Sequence, residues 1–197
     1  MSAEPAAGRE LLHRRDFSFG AYLRPDGLYE IEGRMTDRKN YAFPNEWRGT
    51  IQPNEPLHDM RVRVVLDGDF VIAEVTAETA AAPFEICPAI TPSFAALKGE
   101  RIGKGWTKLL RQKFGGAHGC THHVELLRTL ATVAFQTIYG DQQRRRRETR
   151  SVPPTAGASG GKRPDFIGTC HALAVDSEIV KRDWPQFYEG RAYEGRK

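Results

Sequence analysis

The strongest constraint on the fold is a pair of alternating segments joined by a short turn signal. MRVRVVL and FVIAEVTAET alternate apolar and polar residues and flank the tripeptide DGD. Alternation with a period of two is typical of a strand with one buried face, and Asp67-Gly68 is among the best short signals for a hairpin turn. The sequence therefore predicts a β-hairpin in this part of the chain.

A second hairpin is predicted closer to the N-terminus. FSFGAYL and LYEIEGRM alternate in the same way around the turn signal RPDG. The polar stretch PNEWRGTIQPNEP lies between the two hairpins and is expected to be a connection. Two hairpins in succession predict an antiparallel sheet.

The pattern becomes helical after Cys87. ICPAITPSFAALKG predicts a short helix ended by Gly99, and GWTKLLRQKF predicts a helix that stops at Gly115. The longest predicted helix runs from about Thr121 to Tyr139 and is closed by Gly140. Strands followed by helices predict an α+β fold, an antiparallel sheet of two hairpins with the helices packed on one face.

Four segments are predicted along the chain. Residues 1–15 form a flexible N-terminal arm, and residues 16–140 form the α+β domain. Residues 141–163 are rich in arginine, proline and glycine and are expected to be a disordered linker. Residues 164–197 regain the composition of an ordered segment and are expected to return to the domain as a small hairpin or strand.

The composition limits the classes of partner. The net charge of +4 is concentrated in the run QQRRRRETR, which is typical of a solvated tract, so nucleic-acid binding is not favoured. The N-terminal segment lacks the apolar region of a secretory signal, and no apolar run approaches the roughly 18 residues of a membrane span. The sequence therefore indicates a cytoplasmic protein that does not bind membranes and whose partner is a small-molecule substrate or another protein.

The three cysteines are candidates for chemistry rather than for a disulfide framework, because their number is odd and they are widely spaced. Cys120 directly precedes the longest helix, and the free N–H groups and dipole of a helix start stabilise anionic sulfur. His122 is close enough to add a second ligand or a proton acceptor. Cys87 has a matching position, directly before Pro88, where a helix begins.

The predicted antiparallel topology places His58 near Cys87. His58 lies at the entrance of the second hairpin, whose exit leads to Cys87. Because the start of one antiparallel strand lies beside the end of its partner, the two residues are expected to meet at one end of the sheet. The GTCHAL segment repeats the Cys/His pairing farther along the chain. The predicted metal ligands are His58, Cys87, Cys120, His122 and Cys170.

Four other polar residues are placed outside the site. His13, His118 and His123 are expected to face solvent, and Asp37 is expected to cap a turn rather than to act as a site carboxylate. Thiolate and imidazole suit zinc or an iron–sulfur cluster, whereas hard cations require carboxylates. The expected cofactor is zinc or an iron–sulfur cluster, with zinc slightly preferred.

The series LHDM, ICP, LKGERIGKGW, GGAHGCTHHVELL and TCHAL resembles a bacterial domain-of-unknown-function family whose members carry the same series in the same order. The resemblance extends from about His13 to Pro185 and implies no activity. It does imply that all five predicted ligands occupy motif positions of the family. Members usually read GCTHL, which implies that His123 lies outside the site.

The order of elements is also similar to that of the iron–sulfur cluster assembly scaffold family. Those proteins have a hairpin, a cysteine, a helix with a KG turn and a cysteine at the start of a packing helix. The resemblance implies that His58, Cys87 and Cys120 hold zinc or a nascent cluster. The chain departs from the scaffold pattern by lacking the first cysteine and by having Ile86 where the scaffolds have glycine.

Three functions are compatible with these observations. The first is a zinc- or iron–sulfur-binding protein, with metal-dependent chemistry on a small substrate if one coordination position stays open. The second is a metal-free thiol enzyme acting on thioesters or acyl groups, with Cys120 as nucleophile and His122 or His58 as base. The third is a non-catalytic accessory protein whose arginine-rich linker docks an acidic partner.

Overall fold

The computed structural model describes residues 8–149, 163–164 and 166–190. Six strands occupy its first part: β1 (His13–Leu23), β2 (Tyr29–Lys39), β3 (Phe43–Asn45), β4 (Gly49–Ile51), β5 (Pro56–Leu66) and β6 (Ile72–Ala81). Four of them form an antiparallel sheet in the order β1-β2-β5-β6. The two outer pairs of this sheet are the two predicted hairpins, so both hairpin predictions are confirmed.

The third pair of strands was missed by the sequence analysis. β3 and β4 form a separate two-stranded antiparallel sheet inside the stretch expected to be a plain connection. The Asn45 side chain accepts a hydrogen bond from the backbone N–H of Arg48 at 2.9 Å, and Gly49 has a φ of 74°. A side chain that closes the turn and a glycine in left-handed conformation explain how such short strands pair.

The helices follow the strands. A 3₁₀ helix covers Cys87–Leu97, α1 covers Trp106–Phe114, a 3₁₀ turn covers Gly116–His118, and α2 covers Thr121–Thr149. The first of these is tighter than an α-helix. Pro88 and Pro92 both lie within it, and neither has an N–H with which to continue an α-helical ladder.

The end of α2 corrects the prediction that Gly140 closes this helix. The helix continues to Thr149, through residues assigned to the linker. Asp141 receives hydrogen bonds from Arg144 at 2.6 Å and from Arg145 at 2.7 Å, and Arg144 also pairs with Glu148 at 2.9 Å. Ion pairs three and four residues apart on one helical face stabilise this extra length.

One face of the four-stranded sheet is covered by the helices. Ile31, Met35, Met60 and Val64, which alternate along β2 and β5, belong to one buried cluster with residues of the first 3₁₀ helix, α1 and α2. The opposite face carries exposed charged side chains, such as Glu32, Arg34, Arg61 and Glu78. The predicted α+β fold with helices on one face is therefore confirmed.

The chain separates into two compact units, Met1–Tyr139 and Gly140–Lys197. The second unit contains α3 (Glu178–Asp183), flanked by 3₁₀ turns at His171–Leu173 and Pro185–Phe187, and the Ser177 side chain caps α3. The described part of this unit contains no strand, so the prediction of a hairpin or strand there was wrong. Residues 1–7 of the expected arm and 150–162 of the expected linker lie outside the described residues, and the proposed domain boundaries stay predictions.

A membrane-spanning helix is not found in the described part of the chain. Each helix there is either too short or too polar to cross a bilayer.

Candidate metal centre

The site is built on one row of side chains across three neighbouring strands. Arg15 of β1 is the register partner of Asp37 of β2, and Asp37 is the register partner of His58 of β5. Asp37 lies two residues after Met35, and side chains two apart in a strand point to the same face. The row therefore lies on the helix-covered face, at the end of the sheet where β5 begins.

Asp37 is the centre of this row. Its Oδ1 accepts a hydrogen bond from Arg15 Nε at 2.8 Å and lies 2.9 Å from His13 Nε2. Its Oδ2 accepts a bond from Arg15 Nη2 at 2.8 Å and lies 2.9 Å from His58 Nδ1. The carboxylate is 2% exposed, so every one of its lone-pair positions is used by a protein group.

These contacts determine the charge of Asp37. Burial by itself raises its pKa, but the hydrogen bonds from Arg15 and His13 and the charge of Arg15 outweigh burial and hold the pKa at about 2. Asp37 is therefore an anion at neutral pH.

A glycine-rich turn positions the third residue of the site, His122. Gly116 has a φ of 61°, in the left-handed region that favours glycine. A Cβ on Gly119 would collide with the backbone of Phe114 and approach its Cβ to 2.5 Å. Only glycine at position 119 allows α2 to start this close to α1. The GGAHG segment is therefore a steric requirement for the approach of the two helices.

The start of α2 is fixed to the sheet and to α1. Cys120 is its N-cap, because the Cys120 carbonyl accepts the first helical bond from Val124 N at 3.0 Å. Arg15 also bonds Glu125 at 2.8 Å, and the indole N–H of Trp106 donates to the carbonyl of Leu127 at 3.0 Å. These contacts hold the first turn of α2 above the Arg15–Asp37–His58 row.

His122 thereby reaches the other two site residues. Its ring lies 4.0 Å from the His58 ring, centroid to centroid, and its Nε2 lies 4.0 Å from Asp37 Oδ2. Asp37, His58 and His122 each offer a ligand atom, and these atoms lie within 4.8 Å of one another. Cys120 Sγ lies 3.9 Å from His122 Nδ1.

Both imidazoles of the site are uncharged at neutral pH. Burial lowers the pKa of His58, and the opposing effect of Asp37 does not compensate for it. Burial also lowers the pKa of His122, and the repulsion that its cation would meet from a protonated His58 and from Arg15 lowers it further. The site therefore combines one anionic carboxylate with two neutral imidazoles, which is the ionisation state that metal ligation requires.

Four of the five predicted ligands border a single cavity of about 500 Å³. They are His58, Cys87, Cys120 and His122. The fifth, Cys170, belongs to the second unit, is exposed, and precedes the 3₁₀ turn His171–Leu173. The group of three close ligand atoms includes two of the five predicted residues, His58 and His122.

The expectation that Asp37 caps a turn was wrong. Asp37 lies within β2 and is buried. The signal that could have located it is the alternation of β2 itself, since Tyr29, Ile31 and Met35 mark the buried face and Asp37 continues the same series. Arg15 was not predicted as a site residue, because its role depends on strand register.

The expectation that His123 faces solvent was also wrong. The residue is fully buried, its ring lies 5.2 Å from that of Phe94, and its Nε2 lies 3.0 Å from the carbonyl oxygen of Glu78. Leu126 and Leu127, three and four residues later, are buried on the same face of α2. His118 is exposed as expected, and His13, also exposed, contacts Asp37.

The fold and the site define an α+β protein with a candidate metal centre at one end of its sheet. More narrowly, the chain belongs to the family described as protein of unknown function (DUF2889), whose model matches residues 13–136. The matched range contains the cavity residues and Asp37 but ends before Cys170. Neither the curated proteins nor the solved structures contain a match, and the similarity to iron–sulfur scaffold proteins stays a prediction.

Proposed function

We propose that this protein binds one divalent transition-metal ion, preferably zinc, and uses it on a small substrate. The observation that carries the proposal is the convergence of Asp37, His58 and His122, whose ligand atoms lie within 4.8 Å of one another. These residues come from β2, β5 and α2, so the convergence is a product of the fold and not of local sequence.

The distances are close to those of a metal site. Two ligands at about 2.1 Å from a tetrahedral ion lie about 3.4 Å apart. Asp37 Oδ2 lies 2.9 Å from His58 Nδ1 and 4.0 Å from His122 Nε2. An ion would replace the shared proton between Asp37 and His58, and each side chain would need to move by less than 1 Å, roughly.

The donor set favours a single ion over an iron–sulfur cluster. Clusters are held mainly by cysteine thiolates, whereas two imidazoles and a carboxylate suit mononuclear zinc or iron(II). Cys120 is not part of the group of close ligand atoms, and its sulfur lies 3.9 Å from Nδ1 of His122, not from the Nε2 that faces Asp37. Its contribution as a fourth ligand is therefore left to the substitution test. Zinc suits two imidazoles and one carboxylate better than a harder ion does.

The cavity gives the site access to a substrate. His58 and His122 border the cavity, so an ion held by three protein ligands would have an open position that could hold water or a substrate oxygen. The ion would then supply Lewis-acid or water-activating chemistry. Cys87, which borders the same cavity, is a further ligand candidate, whereas Cys170 stays a prediction from the sequence; each is tested by substitution below.

Metal analysis of the protein purified without oxygen tests the proposal. We expect about one zinc or iron per chain after reconstitution, and loss of most of it in His58→Gln and His122→Gln. His118→Gln, an exposed histidine on the turn before α2, is the matched control and should bind normally. Cys87→Ser, Cys120→Ser and Cys170→Ser show which cysteines contribute. Binding that is absent from the wild type, or equal in all histidine variants, would reject the metal site.

A second function, that of a thiol enzyme, is supported by the spatial order of three side chains. His122 lies between Cys120 and Asp37. Sγ to Nδ1 is 3.9 Å, and Nε2 to Oδ2 is 4.0 Å. This is the order of groups in a thiol enzyme, in which the carboxylate orients the imidazole and the imidazole takes the thiol proton. The contact from sulfur to Nδ1 is a long hydrogen bond, and the distance from Nε2 to Oδ2 exceeds that of a hydrogen bond, which makes this the weaker of the two proposals.

Alkylation of metal-free protein tests the thiol proposal. Cys120 should react with iodoacetamide faster than the more exposed Cys170, and His122→Gln should abolish the difference. Equal rates at both cysteines would exclude an activated thiol.

A further inference from the structure

The cavity beside the metal centre has mainly apolar walls. Asp37 is not among the lining residues, and the described residues that line the cavity include no lysine, arginine, aspartate or glutamate. The lining combines His58, Cys87, Cys120 and His122 with apolar side chains that include Phe84 and Ile86. The polar ligand groups are thus surrounded by apolar side chains.

Two of these side chains are unusually exposed. Ile86 is 78% exposed and Phe84 is 65% exposed, the highest values among the exposed large apolar residues that the structure describes. Glu85, which lies between them, is exposed but is not part of the cavity wall. The short segment before the first 3₁₀ helix therefore presents its two apolar side chains to the cavity and its charged side chain elsewhere.

A charged ligand body does not fit these walls. Away from the imidazoles and the ion they would hold, a charged group in the cavity would lose hydration without meeting an opposite charge, whereas an apolar group would bury Phe84 and Ile86 as well as itself. A volume of about 500 Å³ is within the range of sites that bind organic molecules of drug size.

We infer that this cavity binds an uncharged, largely apolar organic molecule, aromatic or aliphatic, whose single polar end reaches His58 and His122. This inference rests on the proposed function, since it identifies the substrate class of the same site. Phe84 and Ile86 cover the body of the ligand, and the imidazoles, with the ion they hold, bind its oxygen function.

A neutral fluorescent probe tests the apolar part independently of metal. N-phenyl-1-naphthylamine, whose emission rises in apolar surroundings, should bind metal-free and zinc-loaded protein at one site per chain. Phe84→Ser and Ile86→Ser should each weaken its binding about fivefold or more. Leu12→Ser is the matched control, because Leu12 is 55% exposed and lies outside the cavity, and its binding should equal that of the wild type.

A pair of metal-binding probes tests the link to the centre. Zinc-loaded protein should bind benzohydroxamate at least about tenfold more tightly than acetohydroxamate, and Ile86→Ser should reduce this ratio. Equal affinities for the two hydroxamates, or probe binding that Leu12→Ser weakens as much as Ile86→Ser, would overturn the inference.

The outcomes separate this inference from the proposed function. If zinc does not bind but the naphthylamine does, and the cavity variants weaken it, the metal proposal fails and the apolar site stands. If zinc binds and the naphthylamine does not, the metal proposal stands and the apolar site fails. The naphthylamine could also stop binding when the protein concentration is raised and the chain self-associates. That result would identify the cavity as an interface between two copies and would also overturn the inference.

Discussion

The imidazole rings of His58 and His122 lie 4.0 Å apart and tilted by 40°, although one belongs to a strand and the other to a helix. Asp37 lies next to both, and Arg15 secures Asp37 through two hydrogen bonds.

Asp37→Asn should destabilise the protein by about 2 kcal/mol at pH 7, because the substitution leaves Arg15 without its buried counter-charge. The pKa of Asp37 is lowered to about 2, from an ordinary value near 4. Its stabilising effect is therefore complete above about pH 4 and is lost as the pH falls towards 2. Urea unfolding at several pH values measures this. Parallel acid unfolding profiles for the variant and the wild type would contradict it.

Arg15→Gln should strengthen zinc binding about tenfold, because the guanidinium both repels a cation and occupies the oxygens of Asp37. The same variant should lose stability in the absence of metal. Arg34→Gln is the control, since Arg34 forms a similar two-bond pair with Asp59 on the opposite face of the sheet. Calorimetric titration with zinc distinguishes the two variants. Unchanged affinity in Arg15→Gln would indicate that Asp37 does not ligate.

His123 should make the protein less stable in mild acid. Burial lowers its pKa, so at pH values below about 6.5 the unfolded chain takes up a proton that the folded chain does not. Stability therefore falls as the pH decreases through this region, by at most about 1.4 kcal/mol per pH unit for each such histidine. His123→Leu should reduce the slope of the unfolding free energy between pH 7 and 5. A slope that does not change would mean that His123 is protonated equally in both states.

Replacing two glycines of the helical region with alanine should change the stability of the protein in opposite directions. Gly119→Ala should cost about 2–3 kcal/mol, because the added methyl group collides with Phe114. It should also displace His122 and weaken metal binding. Gly140→Ala adds the same group inside α2, where nothing lies within 4 Å, and should stabilise the protein by about 0.5–1 kcal/mol. Thermal unfolding of both variants tests this pair, and a neutral Gly119→Ala would show that the turn can relax.

Local pattern was sufficient to predict the main elements. The alternation in β1, β2, β5 and β6 identified both hairpins, and the apolar stripe of α2 located the longest helix, because both signals depend on which side of a single element is buried. The antiparallel topology then indicated that His58 and Cys87 lie at the same end of the sheet, and both residues border one cavity. The C-terminal extension of α2 was missed because its ion pairs contribute to helix stability without creating an apolar stripe.

Strand register and helix placement decided the composition of the site. A shift of one residue between β1 and β2 would remove Arg15 from Asp37, and nothing in either strand alone specifies that pairing. The approach of α2 to the sheet makes His122 a neighbour of Asp37 and buries His123, although the two histidines are adjacent in sequence. Sequence determined which residues can ligate or pack, whereas tertiary structure selected among them, because distances between separate elements depend on the packing of the whole core.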